Sequence, residues 1–452
     1  MQGTSQSFKE LWHRSRFYRV ILIVAVLYLV FRISVHGFYL VTMLAPEKLP
    51  AWVGAEEPMI PADLQIYLDA AQHFQDRQGL YLQGSLNKLE EHYPYAPPFA
   101  LAFTPFLALS PAAVAVIQTV FHFVAYAWMY VRWGTIFQRL SLDKANYMLV
   151  LTLPLWIVFS AFWGDLGYLN IYLIMAFIGT LFIEAVIRER LVEGAIYLAV
   201  ILQIKPHWAF AVAIPLFLGR YRFFSKLLLL GIAAYLTITL VTMAVGGFSY
   251  VWTQYGEYVH FLSRLSDDFP WRGPDAPFLG YNHSIKQIIV YLLGIHPWAF
   301  RLATAIKLLC LVPLGLVGLR FVKHPPRKPG AAVPLLALDW VFALYLGAFI
   351  WLDMVWEVSL GIAIFPYLLA RLQHHGANTL AWTVFLPYAL VDMIQVLSFT
   401  VFGLEVVAPG PYVLTDPSIY APMTMLVIIA FYALLTYRLW RVSRRLPLPE
   451  VA

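Results

Sequence analysis

The stretch PADLQIYLDAAQHF, Pro61 to Phe74, carries the first carboxylate whose setting suggests chemistry. A helix starting near Asp63 puts Asp63, Tyr67, Ala70 and Phe74 on one face. Asp69 lies about 240° around that helix from Asp63, so the two carboxylates share no face and make a poor acid–base or metal pair. Pro61 suits a helix start. Asp63 then has two compatible roles. It caps the helix, or the helix N-terminus keeps it ionised and it serves as general base toward a hydroxyl.

Four further groups could bind or react. WGDLGYLN (Trp163–Asn170) reads as a turn in which Gly164 and Gly167 allow close backbone approach. There Asp165 and Asn170 either bind sugar hydroxyls or solvate the turn. LQIKPHWAF places Lys205, His207 and Trp208 inside an apolar run, where Pro206 breaks the helix and the charge should face a wet cavity. Such a lysine pairs with a phosphate or snorkels to the interface. YNHSIKQ offers Asn282, His283, Ser284 and Lys286, and its Asn-His-Ser is also a glycosylation sequon, a pattern common by chance. WLDMVWEVSL holds Asp353 and Glu357 four apart, on one face if the helix continues, able to share a proton, bind a hydroxyl-rich ligand or merely solvate the interface. No Walker loop, GxGxxG, HExxH or CxxC occurs, so neither a nucleotide site nor a metal site is expected, and no cofactor.

These groups must be positioned by helices in lipid. Of 452 residues, 61% are hydrophobic and 12% charged, against about 25% charged in soluble domains. The expectation is an all-α integral membrane protein forming one unit over 1–452, with no soluble domain. Aromatic content of 16%, with 15 Trp and 27 Tyr, suits the membrane interface or a sugar or lipid groove. Cys310 is the one cysteine, so no intrachain disulfide is possible. The net charge of +6 falls in short clusters between apolar runs. That pattern marks topology and argues against nucleic acid. The first apolar run, 20–45, exceeds the ~7–15 residues of a signal-peptide core and reads as an uncleaved span.

Basic clusters at Arg14–Arg19, Arg132–Lys144, Arg188–Arg190, Arg220–Lys226, Arg320–Lys328, Arg371–His375 and Arg438–Arg445 would all face the cytoplasm. An even number of crossings must then separate each from the next. Parity holds if the short run 97–109 enters and leaves on one face as a re-entrant or lipid-skimming helix; the alternative is a short true span. The remaining runs pair as 146–162 with 167–187, 192–205 with 207–219, 227–247 with 297–321, 333–351 with 356–370, and 379–402 with 419–437. That gives about twelve crossings, although 192–219 could instead be one tilted span. The loops 46–96, 248–283 and 403–418 then gather outside the cytoplasm.

In this order the pieces resemble the GT-C glycosyltransferases, and within them the bacterial polyprenol-phosphate-mannose-dependent mannosyltransferases (glycosyltransferase family 87). DLQIYLDAA resembles the family's Asp-x-x-x-Tyr-x-x-Ala-Ala. Leu80–Tyr81 followed by YPYAPPFALAFTPFLAL, which contains Tyr95, resembles its Tyr-Pro-Pro run. GDLGYLNIYL resembles a Gly-Gln-x-Asn turn, LQIKPHWAF a Lys-Pro turn, and GYNHSI an Asn-Gln-Ser-Leu. The chain departs from the pattern where GDLGYLN lacks the Gln and where Glu357 stands in place of a frequent His.

The resemblance implies an inverting hexosyltransferase, mannose being the expected sugar. Its partners would be a polyprenyl-phosphate-linked donor, a lipid or glycan acceptor and membrane lipids. Asp63 would be the base. Lys205, His207, Lys286 and Asn282 would bind the donor phosphate, and Tyr67, Tyr95, Asp165, Asn170, Trp208 and Glu357 the sugar or acceptor. The site would face outside the cytoplasm of a plasma (inner) membrane. A transporter or flippase for an amphipathic glycolipid, and a non-catalytic scaffold, are the competing readings. A transporter more often places ionisable groups at mid-span, whereas here only the Lys205 break lies at depth.

Overall fold

A computed structural model describes residues 2–44, 60–81, 93–276, 279–280, 282–326, 332–372, 374–402 and 417–444. It is all helical, with no strand among the described residues. Helices α1 (Gln2–Arg14) and α2 (Arg16–Leu44) lead to α3 (Ala62–Gln75), α4 (Pro97–Phe103) and α5 (Pro111–Arg139). Next come α6 (Asp143–Leu151), α7 (Leu153–Val158), α8 (Ser160–Tyr168), α9 (Tyr172–Ile187), α10 (Leu191–Ile204) and α11 (Ile214–Phe217). The rest are α12 (Tyr221–Gly246), α13 (Phe248–Asp268), α14 (Ile285–Leu293), α15 (Pro297–Lys323), α16 (Ala332–Trp351), α17 (Gly361–Arg371), α18 (His375–Phe402) and α19 (Pro417–Ser443). Short 3-10 segments extend α4 over Thr104–Ala108 and precede α11 over Pro206–Ala213.

Six described helices, α2, α5, α12, α15, α18 and α19, are long and apolar enough to cross a membrane, which makes this a membrane-type helical protein. A seventh span arises if α6 and the α7–α8 segment, bent by 52°, count together. The twelve crossings expected are therefore not reached by length and composition. Several paired runs are broken into pieces of 10–17 residues, below the ~20 needed for ~30 Å of hydrocarbon.

The clearest break is at Lys205. Pro206 has no N–H to continue the ladder, and the chain passes into a 3-10 segment. It then turns back. Trp208 lies against Gly179 in the middle of α9, and Arg220 pairs with Glu189 at 2.8 Å, beside the turn where α10 began. Of the two readings of 192–219, the out-and-back hairpin matches this geometry, and Lys205 is its tip.

Six of the seven basic clusters come together, in two groups. Glu184 holds Arg132, Arg139 and Arg188; Glu189 holds Arg220; and Tyr221 donates to Val322 O at 3.0 Å. Arg438 binds Asp339 at 3.1 Å and Arg371 O at 3.1 Å. From this basic end α9 and α10 rise about 24 and 21 Å to the turn at Asn170 and to Lys205. The segment 97–108 sits at that far end, with the Ala96 N–H bonded to Gln203 O and α4 packed on α3. It lies between α2 and α5 in the chain and stays at that end.

Two local expectations fail. Trp163–Tyr168 is helical, part of α8, and the turn is Leu169–Ile171, with Leu169 itself at φ 53°. The glycines are therefore not the turn-formers. α16 stops at Trp351 and no helix resumes before Gly361, so Asp353 and Glu357 share no helical face. Of the three outer loops, 46–59, 82–92 and 403–416 lie outside the described residues. The loop 248–283 is largely α13, which docks on the end of α3: Tyr250 donates to Gln78 O at 2.8 Å, and Gln254 accepts from the Leu80 N–H at 2.7 Å.

Candidate functional site

Asp63 stands in the first turn of α3 but does not cap it. The N-cap is Pro61, and no side chain caps this end. Its carboxylate instead accepts from Asn170 Nδ2 at 3.1 Å. Asp63 keeps some accessible surface although protein surrounds it. Burial pushes its pKa up to about 7; the nearby Lys205 charge and the Asn170 bond pull it down, while Asp165 pushes it up. The expectation of a carboxylate held firmly ionised by the helix start is thus replaced by a group that titrates near neutrality.

Asn170 is fixed from several sides. Its Oδ1 accepts from the Ile171 N–H at 2.6 Å and from Tyr67 at 3.5 Å. Tyr67 also accepts from the Ile171 N–H and meets the Tyr95 hydroxyl at 3.2 Å. The Tyr-Pro-Tyr-Ala-Pro-Pro run packs this corner. Tyr95 stacks on Phe99, Tyr67 contacts Phe99 edge-on, and Tyr81 donates to Tyr95 O at 2.6 Å.

Asp165 is fully buried and solvates nothing. It accepts from the Leu173 N–H at 2.9 Å and faces His122 Nε2 at 3.3 Å. His122 was not singled out by sequence. Its Nδ1 points at Gln118 O at 2.7 Å and its Nε2 at Asn170 O at 2.5 Å. This buried histidine–carboxylate pair, with its two carbonyl contacts, braces the Asn170 turn from below. The available signal was an imidazole at depth in an apolar run.

Lys205 completes the group. Its Nζ lies 3.7 Å from the centroid of the Tyr172 ring and 5.1 Å from that of Tyr95. The Nζ makes no hydrogen bond and no ion pair within 4 Å among the described residues. It is nonetheless near enough to Asp63 and Asp165 to interact through space. A nearly buried ammonium held by rings, with its protons free, faces a carboxylate it does not touch.

The other candidates sit elsewhere or are packed away. His207 lies edge-on to Phe349 at 5.6 Å, with Nε2 buried and unpartnered. Trp208 is wholly inside the core between Gly179 and Tyr345, where no sugar can stack on it as it stands. Asn282 donates to Asp353 O at 2.7 Å and caps the turn before α14. Lys286 spends three donor bonds on Ser266 O, Ser266 Oγ and Asp353, which leaves no proton for a phosphate. Lys307 likewise binds Asp353 and two carbonyls, and Asp353 is held below its usual range mainly by these lysines against the opposing effect of burial. Glu357 is fully buried; it accepts from Trp356 Nε1 at 3.1 Å, its other oxygen is unpartnered, and burial raises its pKa well above the usual range. Asp353 and Glu357 therefore share neither a proton nor a partner. No cluster of three or more metal-ligating side chains occurs among the described residues.

The arrangement can take a proton at Asp63 and receive an anion at Lys205. No protein-family model matches the chain, and neither a curated protein nor a solved structure is similar to it.

Proposed function

We propose that this protein is a membrane glycosyltransferase of GT-C type. It moves a hexose, mannose by the resemblance, from a polyprenyl phosphate to a hydroxyl of a lipid or glycan acceptor. The observation that carries this reading is the pairing of Asp63, titrating near neutrality, with Lys205, whose ammonium rests on two tyrosine rings and has no hydrogen-bond or ion-pair partner among the described residues.

In the reaction the acceptor hydroxyl gives its proton to Asp63 as its oxygen bonds to the anomeric carbon. The bond from that carbon to the phosphate oxygen breaks, its electron pair leaves with the polyprenyl phosphate, and the centre inverts. Lys205 offsets the charge gathering on the leaving oxygen. Asn170 and Tyr67 hold the base in position. Asn282, Lys286 and Trp208, engaged or packed as described, have no direct part in this scheme.

With the basic ends in the cytoplasm, the site opens on the opposite side of the plasma membrane. The short broken helices complete about twelve crossings, and a lipid donor enters sideways between helices, needing neither nucleotide pocket nor cofactor.

Membranes carrying the protein are given a radiolabelled polyprenyl-phosphate mannose. Sugar appearing on an acceptor supports the proposal, and its loss in Asp63→Asn, with folding and donor binding kept, assigns the base. Intact donor moving between leaflets without transfer would make the protein a flippase, and turnover unimpaired in Asp63→Asn would remove Asp63 from the mechanism.

A further inference from the structure

An apolar groove of about 730 Å³ runs between α15 and α19, away from the Asp63 site. Leu309, Ile350 and Ile429 line one end; Arg320, Trp440 and Ser443 line the other. The two helices run the same way. Lys307 in the first half of α15 bonds the Trp351 carbonyl at the end of α16, and Arg438 near the end of α19 bonds Asp339 in the first half of α16. Both are thus antiparallel to α16, and their basic C-terminal ends lie together.

From Leu309 to Arg320 the groove extends about 16 Å along α15, close to one leaflet's share of the ~30 Å hydrocarbon core. Its outer wall is apolar and exposed: Leu309 is 73% and Leu316 62% accessible. The Arg320 guanidinium at the mouth is half-buried and has no hydrogen bond or ion pair among the described residues. Arg444 beside Trp440 and Arg441 beside Tyr437 add positive charge at the same end, and no acidic side chain lines the groove among the described residues.

We infer that this groove binds an anionic phospholipid, one acyl chain lying between α15 and α19 and the phosphate meeting Arg320. A zwitterionic lipid would fill the same groove but leave the guanidinium facing a phosphate that carries its own cation. The preference for an anionic headgroup is therefore set by Arg320, and the chain contributes to both lipids equally.

The purified full-length protein is titrated with phosphatidylglycerol and with phosphatidylcholine of identical chains, bound lipid being read by native mass spectrometry. Phosphatidylglycerol should bind about five- to tenfold more tightly. Arg320→Gln should remove the preference, Arg320→Lys should retain it, and Ala433→Phe, which fills the groove, should weaken both lipids. Equal affinities in the unaltered protein, a preference surviving Arg320→Gln, or no effect of Ala433→Phe would each overturn the assignment. So would tighter binding of a polyprenyl phosphate than of phosphatidylglycerol to this groove.

Discussion

Asn170 donates a hydrogen bond of 3.1 Å to Asp63, joining the first turn of α3 to the turn between α8 and α9 across 107 positions of sequence. Asp63 stands in the first helical turn and Asn170 in a turn, as their local signals have it, but Asp63 is not a cap and no glycine forms the Asn170 turn. Asn170 is held in addition by Tyr67 and His122, so the carboxylate's position and proton affinity depend on packing that no local pattern encodes.

The pH dependence of transfer follows from that bond. Activity requires the Asp63 carboxylate, whose pKa is about 7, and the Lys205 ammonium, whose pKa burial lowers to about 8, so the rate should rise above about pH 6 and fall again above about pH 8. Asn170→Ala removes a bond that favours the ionised form. The rising limb should move to higher pH, and a profile of kcat/KM against pH that does not move would separate Asn170 from the base.

Folding should show the opposite sign. The Asp63 pKa in the folded protein lies above the reference 3.8, so ionisation opposes folding as pH rises from about 4 to 7. Asp63→Asn should therefore unfold at higher temperature than the unaltered protein at pH 8 and gain little at pH 4. Thermal unfolding in detergent at the two values reads this, and an equal difference at both would mean that the carboxylate is not desolvated.

Lys205→Met keeps the side chain's length and its contact with Tyr172 and Tyr95 while removing the charge. Donor affinity should fall by about tenfold or more, the range of a charge-assisted bond, with acceptor affinity little changed. Because Lys205 also favours ionised Asp63, the rising limb of the pH profile should shift upward as well. A donor dissociation constant unaffected by the change would leave Lys205 with a packing role.

Much of this was legible because lipid is a strict solvent. Composition alone requires helices, and Pro206 after Lys205 marks a break that the structure contains at that residue. The α3 start, the isolated segment 97–108 and the gathering of basic clusters follow from turn chemistry and charge placement in the same way. What was not legible depends on partners distant in sequence. Lys286 reads as a free cation until Asp353 and Ser266 are beside it. Trp208 reads as a sugar platform until Gly179 receives its ring. His122, in a largely apolar run, has no local mark of the Asn170 carbonyl and the Asp165 carboxylate that meet it.

The His122–Asp165 pair should be worth more intact than halved. Both side chains are fully buried, and removing one partner of such a pair costs about 3–5 kcal/mol. Asp165→Ala should lower stability by about that amount, and because His122 also holds Asn170 O it should loosen the Asn170 turn. A double change to Asp165→Ala with His122→Leu should recover part of the stability but not the activity. Recovery of both would place the pair outside the site.

Asp353 ties α14, α15 and the segment after α16 through Lys286 and Lys307. Its replacement by asparagine leaves two nearly buried ammonium groups facing one another without an anion. The ~3–5 kcal/mol of a broken buried pair must be reduced because this carboxylate is 33% exposed, so Asp353→Asn should cost about 2 kcal/mol at pH 7. The pKa of Asp353 is lowered from 3.8, so its contribution is complete above the unfolded value and disappears as pH falls through the folded one. Unaltered protein and variant should accordingly differ in thermal midpoint at pH 7 and converge as the pH falls below the lowered pKa of the folded carboxylate, where both carry two unopposed lysines. A gap that persisted at low pH would show that the substitution disturbs packing rather than charge.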